Sequence, residues 1–296
     1  MLRFVVIQTL NSLSYGSLLF MIASGFSLIF GLMRVTNMVH VGFFLMGGYI
    51  SYWFMQMLGS FAAGILVACL IIGVLGFFVF RFFLFRLHGQ PQSQVLLCLG
   101  FLWLFDDLML AISGGMPLQT KTPPPFNVSV SLFGFQFPAY RLFIMAVGLL
   151  LIIALELIIN KTHIGALIRS GVDDQETSRA MGVNVDLLFV LVYVGGTVLA
   201  AFGGALSGPI LGMEPSQAFS LLPISLAIVI LGGLGNLRGA YFGSMVVALL
   251  DNFGKVLIPE LSYFTIFLPM AIILVLKPEG LFVKGERRMA RNVQKK

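Results

Sequence analysis

Residues 160–186, NKTHIGALIRSGVDDQETSRAMGVNVD, separate two apolar runs, 140–159 and 187–211, each long enough to cross a bilayer. Lys161, Arg169, Asp173, Asp174, Glu176 and Arg179 crowd this stretch in a chain that is only 10% charged. A polar island of that size lies outside the lipid, where water can solvate it. Asp173 with Glu176 three residues on reads as a capping box, and Gly182 stands where a helix closes on glycine. That spacing predicts a helix of about two turns over 174–181. Such a helix reads either as a docking element offered to another protein or as a well-capped solvated loop, and the spacing fits both.

The flanking sequence sets the class. Hydrophobic residues make up 58% of the 296 positions and the mean hydropathy is +1.00, far outside the soluble globular range. The 33 glycines suit transmembrane helices that pack through small side chains. Cys69 and Cys98 both fall in apolar runs, with no metal-binding spacing, and read as core residues. The net charge of +6 is concentrated late in the chain: Lys277, Lys284, Arg287, Arg288, Arg291, Lys295 and Lys296 all follow the last apolar run. A basic tail after a spanning segment is a positive-inside signal, and no aromatic-basic surface accompanies it that would suit nucleic acid. The N-terminal run, interrupted by Asn11, Ser12, Ser14 and Tyr15, is longer and more polar than a cleaved signal and reads as a retained first helix.

Apolar runs place helices at 4–30, 41–58, 61–83, 95–112, 140–159, 187–211, 222–234, 239–253 and 262–276. The fold class expected is therefore all-α: a polytopic bundle of about eight or nine spanning or half-spanning helices, some discontinuous. Residues 1–276 form one membrane domain and 277–296 a basic cytoplasmic tail. With 160–186 on the cytoplasmic side, Arg34, Arg81, Arg86, Lys161, Arg169, Arg179, Arg238 and the tail lie inside, and Arg3, Lys121, Arg141 and Lys255 outside. The N-terminus is then outside and the C-terminus inside. The largest outer loop, 113–139, is stiffened by Pro123, Pro124 and Pro125 and then alternates around Phe133 and Gly134, which predicts a small hairpin.

Two breaks in the apolar pattern match. GLMRVTNMVH (31–40) and GGLGNLRG (232–239) each follow an apolar run, contain Arg and Asn, and lead into a helix rich in small residues. They read as weakly related halves of an internal repeat with discontinuous helices meeting near a pathway. Glycines recur every four residues as Gly204, Gly208 and Gly212, and again as Gly235, Gly239 and Gly243. On a helix each set shares a face and predicts close helix packing, with Pro209 bending the first.

Catalytic spacing is missing. His40, His88 and His163 are scattered, and there is no GxSxG elbow or GxxxxGK[ST] phosphate loop. Any ATP-driven role therefore needs a separate subunit. What remains is polar groups at membrane depth: Asp106 and Asp107 midway along an apolar run, Asp251 at the end of another, and Asn37 with His40 at a helix start. Intramembrane carboxylates usually face a bundle interior or an aqueous path. Adjacent aspartates point about 100° apart, so at most one of the pair points straight into a pathway. A secondary transporter using Asp106 or Asp107 as its ion site is the alternative these residues leave open.

Three blocks carry a resemblance over nearly the whole length: GLMRVTNMVHVGFFLMGGY, IGALIRSGVDDQETSRAMGVNVD and VILGGLGNLRGAYFGSMVVALL. In this order and spacing the chain resembles the permease subunits of ATP-binding-cassette importers for branched-chain amino acids. The resemblance implies a bacterial or archaeal inner-membrane permease paired with a second, related permease. It also implies two cytoplasmic ATPase subunits that bind the ATP, a soluble substrate-binding protein, and no cofactor on this chain. Gly165, Arg169, Asp173, Asp174, Glu176, Arg179 and Gly182 then fall in the region that docks on the ATPase. Relatives carrying urea, short amides or other amino acids share these blocks. The first block departs from the pattern: Val41 and Gly42 follow His40 where a small and an acidic residue usually stand.

Overall fold

The computed structural model describes residues 2–33, 37–87, 89–132, 134–277 and 280–281; Arg34, His88, Phe133 and nearly all of the basic tail lie outside them. Each apolar helix read from the sequence is present within a few residues of its expected place. They are α1 (Leu2–Met33), α2 (His40–Leu58), α3 (Phe61–Phe78), α4 (Pro91–Ser113), α5 (Ala139–Lys161), α8 (Val185–Leu211), α9 (Gln217–Gly232), α10 (Leu237–Leu257) and α11 (Ser262–Leu276). Between α5 and α8 stand two short helices, α6 (His163–Asp173) and α7 (Gln175–Ala180). Five helical stretches, Arg3–Gly31, Phe61–Leu87, Pro91–Ser113, Ala139–Lys161 and Val185–Leu211, are long and apolar enough to cross a membrane. The hairpin expected from the alternating segment is formed by β1 (Ser129–Leu132) and β2 (Phe135–Pro138), paired antiparallel.

Contacts fix the relative directions of α1, α5 and α10. Gln8 Nε2 donates to the Asn252 carbonyl and Gly16 packs on Met245, so α1 and α10 run antiparallel. Arg141 donates to Asn11 Oδ1 at 2.9 Å and Gly148 packs on Ser17, so α5 runs parallel to α1. The bundle therefore has a hairpin end, where Arg3 lies 5.3 Å from the Phe135 ring, and a loop end, where α6 and α7 sit. The last described residue, Leu281, is tied to the loop end by a bond from its N–H to the Leu231 carbonyl.

The centre is built from α1, α2, α8 and α10, and small residues decide how they meet. A Cβ on Gly204 would overlap the Phe44 carbonyl, and one on Gly47 would come within 2.5 Å of Ala201 Cα. Backbones this close are the usual device of membrane helices, which gain no hydrophobic drive from leaving lipid and must pack instead. Many buried hydroxyls are satisfied within their own helices: Ser12, Ser17, Ser24, Ser207, Ser225 and Ser244 each donate to a carbonyl three or four residues back, whereas those of Ser14, Ser27 and Tyr49 have no hydrogen-bond partner among the described residues.

The two glycine ladders are shorter than their spacing implied. Gly204 packs on Phe44 and Gly208 on Thr120, but Gly212 has φ +69° and closes α8 three residues after Pro209. Gly239 and Gly243 pack on the Gly232 and Ile228 carbonyls, whereas Gly235, with φ +79°, lies in the turn before α10. A four-residue count runs straight through a helix end without registering it.

Candidate functional site

The chain turns back after α1 and starts α2 inside the bundle. His40, first residue of α2, lies beside Ile22 and Phe26, about two turns back along α1: its Nε2 is 3.1 Å from the Ile22 carbonyl and its ring meets Phe26 edge-on. The carbonyl can only accept, so Nε2 carries the proton; Nδ1 is buried with no hydrogen-bond partner among the described residues. Asn37, fully buried, accepts from Tyr193 Oη at 3.3 Å and lies 3.8 Å from Cys98 Sγ, while its amide nitrogen has no partner among the described residues. Val39, at the cap position, offers α2 no side-chain oxygen. Asn37 and His40 therefore sit together as expected, but Asn37 stands in the turn before the helix. The sequence reading missed their partners Tyr193 and Cys98, which lie on α8 and α4.

The paired aspartates divide as helix geometry requires. Asp106 is buried and accepts from the Ser216 N–H at 2.8 Å, capping the irregular entry to α9, where Ser216 has φ +69°. Asp107 is exposed on the outer face of α4. Asp251 is buried at the hairpin end of α10 and ion-paired to Lys255 at 2.7 Å, one turn on. It is not gathered with the others. Its i,i+4 spacing to Lys255 was a legible signal. The Glu156–Arg238 pair, at 2.5 Å across the loop ends of α5 and α10, left no such local trace.

At the loop end, α6 folds back on α5. Thr162 Oγ1 accepts from Gly165 N–H at 3.1 Å, and Gly165 lies so close to the Ile158 and Ile159 carbonyls that any side chain would overlap them. Arg169 donates to the Ile159 carbonyl, one of the free acceptors at the end of α5. The cap of α7 is Asp174, one residue beyond the expected Asp173: its carboxylate accepts from Thr177 N–H at 3.0 Å and Thr177 Oγ1 at 2.5 Å. The D-x-x-E pattern suited a capping box, but Asp173 is instead the last residue of α6. Bonds from the Thr177 hydroxyl, then from its N–H, hold the Asp174 carboxyl below its ordinary range. Arg179 pairs with Asp186 at 2.6 Å, and Gly182 closes the segment at φ +84°, as its position predicted. Three of the expected docking charges thus hold the loop together. Glu176 forms no ion pair among the described residues, and Met181 is 77% exposed.

Among the described residues no group of His, Cys, Asp and Glu is placed to hold a metal ion. The chain is thus a multi-pass helical bundle with the start of α2 buried inside it and a polar helix pair, α6 and α7, at one end. Comparison with known proteins makes the class specific: residues 8–276 match the family described as branched-chain amino acid transport system / permease component, and the chain belongs to it. It is thus the membrane-spanning permease subunit of an ATP-binding-cassette importer. It is 24% identical to the high-affinity branched-chain amino acid transport system permease protein BraD of Pseudomonas aeruginosa, covering 94% of this chain and 96% of that one. It is 22% identical to LivH of Escherichia coli over the same shares. The autoinducer 2 import system permease protein LsrC of Yersinia enterocolitica is 27% identical over 52% of this chain and 43% of its own. No solved structure matches significantly. These relatives give the ion-coupled alternative no support, and Asp106, its first candidate site, is committed to Ser216.

Proposed function

We propose that this chain carries branched-chain amino acids across a bacterial inner membrane by alternating access, powered by two separate ATPase subunits that bind the ATP. A second, related permease subunit completes the pathway and a soluble binding protein delivers the solute at the hairpin end. The loop end and the basic tail face the cytoplasm and the N-terminus faces outward, consistent with the distribution of basic residues. The α6–α7 pair is the lever. Its internal bonds through Arg169, Asp174 and Arg179 stiffen it, and Gly165 locks it to α5, so a push is passed to the bundle. Glu176 and Met181 are left to meet the ATPase. Asn37 and His40 stand where α2 begins inside the bundle, and rocking of α1, α4 or α8 uncovers them to the solute.

The observation that carries this reading is the fusion of a stiff, exposed helix pair to the ends of two membrane helices, α5 and α8. The test is ATP hydrolysis in reconstituted complexes. Glu176→Gln with Met181→Ser leaves every described loop bond intact and is expected to cut substrate-stimulated hydrolysis about tenfold, as for an interface anchor. Replacing Arg169, Asp173, Asp174 and Glu176 together should abolish it. Unchanged stimulation in both refutes the lever.

A further inference from the structure

We infer that the Glu156–Arg238 ion pair is the joint through which α5, the helix that ends in the α6–α7 lever, moves α10 and the centre of the bundle; the two residues position the transport pathway rather than line it. This rests on the lever reading of the loop and deepens it by naming the contact that carries the push inward.

The lever is bound to α5 at its root. Gly165 lies against the Ile158 and Ile159 carbonyls and Arg169 donates to the Ile159 carbonyl, so the last turn of α5 and the start of α6 move as one piece. Glu156, the sole acid on α5, stands within that piece, one turn before Asn160. Its Oε2 accepts from Arg238 Nη2 at 2.5 Å and from Asn160 Nδ2 at 3.2 Å. A single carboxylate oxygen therefore ties the root of the lever to the first turn of α10.

The start of α10 does not yield on its own. Gly232 and Gly239 meet backbone to backbone, Gly235 lies against Gly31 at the end of α1, and Gly280 lies against Gly233. Such contacts have no side chain to give way, so a pull on Arg238 moves the ends of α1, α9 and α10 together. Further along, Gly16 packs on Met245 and Phe20 meets Tyr241 edge-on at 5.1 Å, which carries the motion into the centre. Stability is a poor reason for the pair, because Arg238 is 65% exposed and open ion pairs contribute little. If the pair served only to neutralise a carboxylate at the membrane edge, an apolar side chain in place of Glu156 would serve as well.

The test uses the full importer complex in proteoliposomes, with leucine uptake and ATP hydrolysis measured together. Glu156→Leu and Arg238→Gln are each expected to lower the leucine moved per ATP hydrolysed about fivefold, the low end for coupling between sites. The ATPases should stay bound and the thermal midpoint should hold. The exchanged pair, Glu156→Arg with Arg238→Glu, leaves a base near a helix end and an acid at a helix start, as the helix dipoles favour, and should recover most of the ratio. Arg238→Lys should keep it. A wild-type ratio in both single variants overturns the joint, and so does a loss that comes with released ATPases or a fallen midpoint. A loss that neither the exchanged pair nor Arg238→Lys avoids overturns it too. Failure of the joint leaves the lever standing, whereas stimulation indifferent to both lever variants removes the lever and the joint with it.

Discussion

The segments at the ends of α1 and α9 both contain Gly, Arg and Asn, with Arg before Asn in the first and after it in the second, yet the first drops a helix start into the bundle while the second turns tightly at its end. Their glycines even touch: Gly31 packs directly on Gly235. The asparagines do different work. Asn236 Oδ1 accepts from the Gly239 N–H at 3.1 Å and caps α10. Asn37 Oδ1 turns to Tyr193 and Cys98, so α2 starts without a side-chain cap. A capped helix start is stabilised locally, whereas the uncapped start of α2 is held by contacts with α1 and α8.

The largest effect should come from the tight turn. A Cβ on Gly239 would overlap the Gly232 carbonyl, which cannot yield because α9 and α10 are both packed behind it. Gly239→Val should therefore cost at least the ~1–3 kcal/mol of an overpacked core, seen as loss of monodisperse protein in detergent. At the other start, a Cβ on Gly42 would meet side-chain atoms of Leu102 and Phe105 at 3.1 and 3.3 Å. These can shift, so Gly42→Ala should leave the thermal midpoint nearly unchanged. Equal damage from both would erase the distinction between a locked turn and a yielding one.

How much of this the sequence could show depends on range. Helix positions follow from apolar runs, and both breaks were visible as interruptions in them. Depth was not, because the start of α2 is set by His40 meeting Ile22 and by Asn37 meeting Tyr193, 156 residues away. The role of Asp106 was hidden in the same way: its partner Ser216 is 110 positions on, so a buried aspartate read as a pathway group acts as a cap. Asp107, its neighbour, is turned outward by the helix and is exposed. Where two readings differed by one residue, as for Asp173 and Asp174, the local pattern allowed both and the end of α6 decided.

The next prediction compares the asparagines directly. Asn236→Ala removes a cap and should cost about 1 kcal/mol. Asn37→Ala leaves the Tyr193 hydroxyl without its acceptor but also removes an amide nitrogen that has no partner among the described residues. The two terms oppose, so its net effect on stability should be smaller than about 1 kcal/mol, while leucine transport in the reconstituted complex falls. Thermal shift and uptake, measured on both variants, separate them. A large stability loss in Asn37→Ala with no specific transport defect would make the α2 start an ordinary structural feature.

The smallest expected effect is at α7, a capped start in water and thus the opposite extreme from α2. The Asp174 carboxyl is held below its ordinary range by the Thr177 hydroxyl and N–H. A carboxyl whose folded value is depressed contributes stability that is fully present above its unfolded value, about pH 4, and is lost as pH falls through the folded value. Hydrogen exchange of the α7 amides should therefore lose protection on acidification below about pH 4, and Asp174→Asn should flatten that response. The first turn of α6, capped by the Thr162 hydroxyl, which does not ionise, should show no matching step in that window. If the start of α6 loosened over the same range, the Asp174 carboxyl would not be what holds the start of α7, and the stiffness of the loop would have to come from its other bonds, Arg169 to the Ile159 carbonyl and Arg179 to Asp186.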